Sequence, residues 1–329
     1  MGTRAAVDIG GTFTDLVHLD GDEIGLAKAS TTPGRFEAGV MDAVAQAELR
    51  DVEFLAHGTT VVINTLTERS GSPPALLTTR GCRDVLEIAK GNRPDLYNLL
   101  FHKPEPFVPR RLRLEVGERM AYTGEVLEPL DEDSVRAAIA RARDLGAEAV
   151  AICFLHAYAN PAHERRAGEL VHELWPEAQV TLSHDLTSEW REYHRTSTAV
   201  LDAYVKPTVA RYLGALAERL DEAGIGRDTQ FAMQSNGGVS RFAVAAEQPI
   251  HLVESGPVGG IIGAAAIGAA TRRPNIITLD IGGTTAKSSL IERGEVRLSS
   301  DYHIERTPTH AGYPIKVPVV DIVEIGAGG

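Results

Sequence analysis

Apolar and polar positions fall into short blocks along the 329-residue chain, and two of these blocks share one pattern. Each opens with an apolar run, residues 5–9 and 276–281, that carries an acid near its end and then meets two glycines and threonines. A second run follows in each (16–19; 288–291), then a charged turn, then a third run. Short apolar runs broken by glycine and by charge predict strand, tight turn, strand, polar turn, strand. Five residues, Asp-Ile-Gly-Gly-Thr, are identical at Asp8–Thr12 and Asp280–Thr284. The offset of 272 residues also aligns Glu23 with Glu295 and Leu26 with Leu298.

Between the two copies the pattern changes period. Residues 35–49 place Phe36, Val40, Ala43, Val44 and Ala47 on one face of a helix. A short strand at 54–56 ends at His57-Gly58, and 61–68 reads as a helix that Thr59 or Thr60 could cap. A strand is predicted at 75–79, an irregular Pro-rich region at 91–111, and an antiparallel pair from 112–120 and 124–127. Asp131 is placed to cap a helix that Gly146 stops, and 149–155 is a continuous apolar run, as in a buried parallel strand. A helix opened by Asn160-Pro161 and ended by Pro176 leads to a strand at 180–183, which makes βαβ architecture. Two helices, 189–205 and 208–223, are expected on either side of Pro207, then a strand at 229–234. Residues 255–270 form a small-residue helix whose glycines weaken it by about 0.5–1 kcal/mol each relative to alanine. That weakness implies close packing against backbone or ligand.

Composition narrows the class. Hydrophobic residues are 43 % and charged residues 24 %, ordinary for a soluble globular protein of one large two-lobed unit or two domains. The net charge is −12 and aromatics are 5 %, which argues against nucleic-acid or anionic-membrane partners. Cys82 and Cys153 are too few and too far apart for a disulfide framework. The start runs straight into the first strand, and the longest uncharged stretch, 255–271, is short of the ~20 apolar residues of a membrane span. A cytoplasmic location is the expectation.

The candidate chemistry lies in the repeated turns. Glycines allow positive φ and close approach of backbone to a ligand, and successive N–H groups there form an anion-binding concavity. A carboxylate beside them suits a hard cation such as Mg²⁺. Two facing copies therefore predict a phosphate clamp, with Asp8 and Asp280 at the metal and Gly10, Gly11, Thr12, Thr14, Gly282, Gly283, Thr284 and Thr285 around the phosphates. Lys287 could neutralise charge, or point away. P-loop, dinucleotide, zinc-protease and nucleophile-elbow patterns fail on spacing. Asn236 reads as part of an Asn-Gly turn or as a ligand-facing loop, and His57 as a cleft-facing contact or a structural hydrogen-bonding group. Asn92-Arg93 could grip a carboxylate or phosphate.

The paired hairpins resemble the phosphate loops of the superfamily of sugar kinases, heat-shock ATPases and actin. Further segments resemble the hydantoinase A/5-oxoprolinase family: Ala56–Asn64, Leu77–Val85, Asn92–Tyr97, Asn160–Glu164, Gln234–Gly238 and Glu254–Pro257. The resemblance implies an α/β, ribonuclease-H-like (actin-like ATPase) fold of duplicated lobes with mixed sheets. It implies a family N-terminal domain at 1–185 with the first phosphate loop, and at 186–329 the start of a second domain with the second loop. The second lobe is expected to be incomplete, because the chain stops inside the Gly-rich segment Glu324–Gly329. It further implies ATP-dependent hydrolysis of a cyclic amide of hydantoin or 5-oxoproline type, with ATP and Mg²⁺ as cofactors. His57, Thr59, Thr60, Asn92, Arg93 and Asn236 would then meet the substrate, and a hydantoinase-B-like subunit or domain would be the partner, with a homo-oligomer also open. A nucleotide-using subunit of an acetone-carboxylase-type enzyme and a chaperone-like ATPase are the competing readings.

Overall fold

The computed structural model describes residues 2–32, 34–91, 94–281 and 286–325. The chain forms two compact units that interleave along the sequence. Residues 1–64, 209–299 and 318–329 make the first, and residues 65–208 and 300–317 the second.

The first unit is built on a six-stranded mixed sheet. β1 (Thr3–Ile9) pairs antiparallel with β2 (Phe13–Asp20), which pairs antiparallel with β3 (Glu23–Ser30). On the other side β1 runs parallel to β4 (Val52–Thr59), followed by Gln230–Met233 and the edge strand Val239–Arg241. The alternation along β1 is complete: Thr3, Ala5, Val7 and Ile9 are buried, while Arg4, Ala6 and Asp8 are exposed. Burial of Val7 and of Ile9 contributes about 1.5–3 kcal/mol each. The helix α1 (Phe36–Ala47) covers this side with Val40, Ala43 and Val44, and its Gly39 lets it approach Thr14 of β2 closely.

The second copy of the repeat forms its own sheet. Its register equals the first after the shift of 272 residues: Asp8↔Asp15 becomes Asp280↔Lys287, Ile9↔Thr14 becomes Ile281↔Ala286, and Asp20↔Glu23 becomes Glu292↔Glu295. The copies then diverge. β3 continues to Ser30, but Leu298 leaves the sheet to pair with Val320, and Val323–Ile325 takes the vacant position along Ala286–Ser288. The alignment of Leu26 with Leu298 is thus one of sequence and not of structure. Val320 gains from this, being buried with Val258, Ile261 and Ile291 in one apolar cluster. The helix Ser255–Ala270 packs against both sheets, and its small residues permit it: a Cβ on Gly268 would lie 2.4 Å from Ile276 Cδ1.

The second unit carries a four-stranded parallel sheet in the order Gln179–Leu182, Ala149–Cys153, Ala75–Thr79, Arg113–Val116. Every residue of Ala75–Thr79 and Ala149–Cys153 is buried, which is why those runs show no alternation. The helix Glu132–Asp144 is capped by Asp131, which accepts from the Ser134 N–H, and is followed by Gly146 at φ +74°. Arg113–Val116 pairs with Ala75–Thr79, so the expected antiparallel pair shrinks to Arg119–Met120 with Val126–Glu128.

One helix, Glu192–Glu222, replaces the two expected around Pro207. A helix-interior proline costs about 3 kcal/mol. The burial of Ala199–Val205 before it and of Val209, Leu213 and Leu216 after it offsets that cost. Both cysteines are free, and no helix among the described residues is long and apolar enough to cross a membrane.

Candidate functional site

Strand alternation that sends Val7 and Leu16 inward sends Asp8 and Asp15 outward, into a cavity of about 900 Å³ in the first unit. The second hairpin supplies Asp280 and Lys287 to the same cavity, and the glycine-rich start of the helix Ser255–Ala270 lines it with Ser255, Gly256, Gly259 and Gly260. Three carboxylates thus share one space. The consequence is electrostatic: the Asp8 carboxyl is raised above its ordinary value, first by enclosure within the cavity walls and then by the charges of Asp15 and Asp280. Lys28 offsets one of them, meeting Asp15 at 2.6 Å, while Lys287 meets a fourth acid, the buried Glu254, at 2.5 Å.

Asp8 is held in place by the absence of side chains around it. A Cβ on Gly58 would lie 2.7 Å from Asp8 Oδ1, and one on Gly256 would lie 3.1 Å from the same atom. The two glycines come from β4 and from the start of the helix Ser255–Ala270, and Ser255 joins these elements. Its Oγ donates to the Thr59 carbonyl at 2.8 Å and accepts from the Thr59 N–H at 3.2 Å. Glu254, which precedes the helix, has left-handed backbone with φ 59°.

Several expected site residues lie elsewhere. His57 is fully buried, with Nδ1 3.3 Å from the Val7 carbonyl and Nε2 2.8 Å from the Tyr212 hydroxyl, so neither nitrogen is left for a ligand. Burial lowers its pKa to about 4, so the ring is neutral at pH 7. Thr14 is buried against Thr31, because alternation along β2 turns it to the side opposite Asp15. Thr59 is buried in the backbone network with Ser255 and Val61, and the Thr60 hydroxyl donates to the Ile9 carbonyl. Asn236 holds the Gly238 N–H at 2.8 Å inside a turn.

Gly10, Gly11 and Thr12 form the turn of the first hairpin, closed by the Gly10 N–H on the Phe13 carbonyl, with Gly11 and Thr12 exposed. Gly282, Gly283, Thr284, Thr285, Asn92 and Arg93 lie outside the described residues. Asp15, Lys28, Gly58, Ser255, Gly256 and Glu254 had no assigned role. The spacing of Asp8 and Asp15 about a two-glycine turn is the signal that could have paired the first of them.

No group of three or more His, Cys, Asp or Glu side chains among the described residues is arranged to hold an ion by itself. Asp8 and Asp280, one from each hairpin, are hard oxygen donors on one cavity and so are of the kind that would suit Mg²⁺ as partial ligands. The raised Asp8 pKa marks a space where added positive charge is favourable.

The models for the hydantoinase/oxoprolinase N-terminal region and for hydantoinase/oxoprolinase match residues 4–175 and 195–329. The chain belongs to the hydantoinase/oxoprolinase family. It is 34 % identical to the caprolactamase subunit alpha of Pseudomonas jessenii over 99 % of this chain and 48 % of that one. It is 31 % identical to the acetone carboxylase beta subunit of Xanthobacter autotrophicus, over 98 % of this chain and 47 % of that one. It is 30 % identical to the 5-oxoprolinase of Saccharomyces cerevisiae, over 99 % of this chain and 28 % of that one. The crystal structure of the Pseudomonas jessenii ATP-dependent caprolactamase superposes with a TM-score of 0.83 at 33 % identity, covering 99 % of this chain and 48 % of that one. The chain therefore spans about half the length of the caprolactamase and acetone carboxylase subunits. The α/β, actin-like class with mixed sheets expected from the repeated hairpins is the class of this family fold.

Proposed function

We propose that this chain carries the phosphate-handling part of an ATP-dependent enzyme that opens a cyclic amide of hydantoin or 5-oxoproline type. The supporting observation is the register-matched pair of hairpins that brings Asp8 and Asp280 to one cavity. ATP would supply a phosphoryl group to the amide oxygen, which turns that oxygen into a leaving group and makes the carbon open to water. Mg²⁺, when bound, would neutralise phosphate charge.

The protein's own share is positioning and charge. Asp8 and Asp280 hold the metal or its waters. The exposed Gly11 and Thr12 of the first turn, which Gly10 closes, and the counterpart segment Gly282–Thr285 would donate backbone N–H groups and hydroxyls to phosphates. Lys287 faces the cavity beside Glu254 and offsets negative charge as it develops. Thr14 and His57 are left out of this assignment, since both are buried on the core side. Asn92 and Arg93 stay assigned to substrate recognition on the sequence argument alone. A hydantoinase-B-like subunit as partner and a cytoplasmic location belong to the same reading.

The test is phosphate release from ATP by the protein expressed from its complete reading frame with its partner subunit. Hydantoin, 5-oxoproline and caprolactam are compared with acetone plus bicarbonate. Stimulation by a cyclic amide supports the proposal. Stimulation by acetone and bicarbonate alone favours the carboxylase reading, which the similarity to the acetone carboxylase subunit keeps in view. Release that no substrate changes points to a chaperone-like ATPase.

A further inference from the structure

The second unit holds a separate cavity of about 250 Å³, lined by Leu155, His156, Tyr158, Trp190, Arg191, Glu192 and Arg195. Its unusual member is Arg195, in the first turn of the helix Glu192–Glu222. The side chain is 2 % exposed, among the largest fully enclosed in the protein. Its Nη2 donates to the Phe154 carbonyl at 2.6 Å, and among the described residues its Nε and Nη1 have no hydrogen-bond partner. Among the described residues no carboxylate lies within ion-pairing distance of it. A guanidinium stays charged at any ordinary pH. A buried charge that meets only a neutral carbonyl and an aromatic ring is costly unless an anion completes it.

The surroundings are built for such an anion. The strand Ala149–Cys153 ends just before His156, which takes left-handed backbone at φ 60° and puts Nδ1 3.2 Å from the Tyr158 hydroxyl. The Tyr158 ring lies 5.5 Å from the Arg195 guanidinium carbon. Arg191, also left-handed at φ 89°, stacks over Trp190 at 4.5 Å and brings a second cation to the wall. The His156 pKa is lowered, by burial first and then by Arg195 and Arg119, with Glu192 of the cavity wall and Glu118 acting in the opposite direction. Leu155 and the Trp190 ring supply apolar wall.

We propose that this cavity binds a small carboxylate. The carboxylate head would be held by Arg195, with the hydrogen-bonded Tyr158–His156 pair supplying one neutral donor, and its short aliphatic body would lie against Leu155 and Trp190. Carboxylate is favoured over phosphate because Leu155 and Trp190 give the cavity an apolar wall, and Glu192 in the same wall repels a dianion more strongly than a monoanion. The proposal uses only residues of the second unit and does not rest on the nucleotide assignment.

Trp190 is 65 % exposed and is one of two tryptophans, so it reports on the cavity directly. Propionate is titrated at constant ionic strength against sodium chloride and sodium phosphate, with fluorescence read in wild type and in Trp190→Phe. A saturable propionate response that disappears in Trp190→Phe and weakens at least tenfold in Arg195→Lys is expected. If Arg195→Lys loses its helical circular dichroism, Tyr158→Phe replaces it, with at least threefold weakening expected. The proposal is overturned if chloride gives the same response, if phosphate binds more tightly than propionate, or if the folded variants bind as wild type does.

Discussion

Gly58→Ala would separate the two jobs of the cavity wall, which are to complete a strand and to leave room for Asp8. The backbone of β4 accepts alanine, and removing glycine's freedom in the unfolded chain stabilises by about 0.4–1 kcal/mol. Against this, the new Cβ starts 2.7 Å from Asp8 Oδ1, whereas ordinary contact begins near 3.4 Å. The carboxylate is the end of a side chain open to the cavity, so it moves by roughly 0.7 Å, and misplacement by about 1 Å at a reacting centre can cost 10²-fold in rate. Stability should therefore stay within about 1 kcal/mol of wild type, while Mg²⁺-dependent phosphate release falls by roughly 30- to 100-fold. Gly256→Ala supplies the internal scale. Its Cβ starts at 3.1 Å from the same oxygen, needs a shift of only a few tenths of an ångström, and should cost less activity than Gly58→Ala. Urea titration and a phosphate-release assay on the two variants decide the matter. Wild-type turnover in Gly58→Ala, or a larger loss in Gly256→Ala, would refute the idea that these glycines exist to seat Asp8.

Three further outcomes are expected. Asp8→Asn should abolish most Mg²⁺-dependent turnover yet melt no lower than wild type, because it relieves repulsion from Asp15 and Asp280; a clear drop in melting temperature would count against the crowded-carboxylate account. His57 takes up a proton at about 4 when folded and near 6.5 when unfolded, so the unfolded chain binds more protons in that window and stability falls as pH drops through it. His57→Gln should remove up to about 3 kcal/mol of that pH dependence, and an unchanged slope of urea midpoint against pH would show that His57 is not the group responsible. Ser255→Ala breaks two buried hydrogen bonds to Thr59 and should destabilise by about 1–3 kcal/mol; a change below a few tenths in chemical denaturation would mean that the helix start is held by packing alone.

Much of this architecture could be read from the chain. The repeated Asp-Ile-Gly-Gly-Thr located both hairpins, and the unbroken apolar runs located the parallel sheet. What the chain hid was the side of the sheet to which each polar residue turns. Thr14 follows the glycine turn and has a hydroxyl, as a phosphate ligand should, but its neighbour Asp15 takes the cavity side and alternation leaves Thr14 the core. His57 precedes a Gly-Thr-Thr segment and reads as a contact, yet the Val7 carbonyl and the Tyr212 hydroxyl, the latter 155 residues away, claim both nitrogens. Pro207 reads as a break, but packing on both sides of it outweighs the local penalty. The motif residues Asn160, His163 and Glu164 prove structural: Asn160 holds the Ala162 N–H, His163 meets the buried Glu118, and Glu164 accepts from Phe154, Ser183 and His184.

The divergence of the repeats after their second turns bears on how the protein reaches its fold. The first hairpin unit closes from three consecutive strands, with short turns and little loop entropy to overcome. The second cannot close that way. Its outer position along Ala286–Ser288 waits for Val323–Ile325, and between them residues 300–317 are spent in the other compact unit. Local contacts form faster than distant ones, so the amino-terminal copy should acquire hydrogen-exchange protection early in refolding. The carboxy-terminal copy should be protected only once the intervening segment has settled. One sequence pattern, used twice, would then mature on two different clocks.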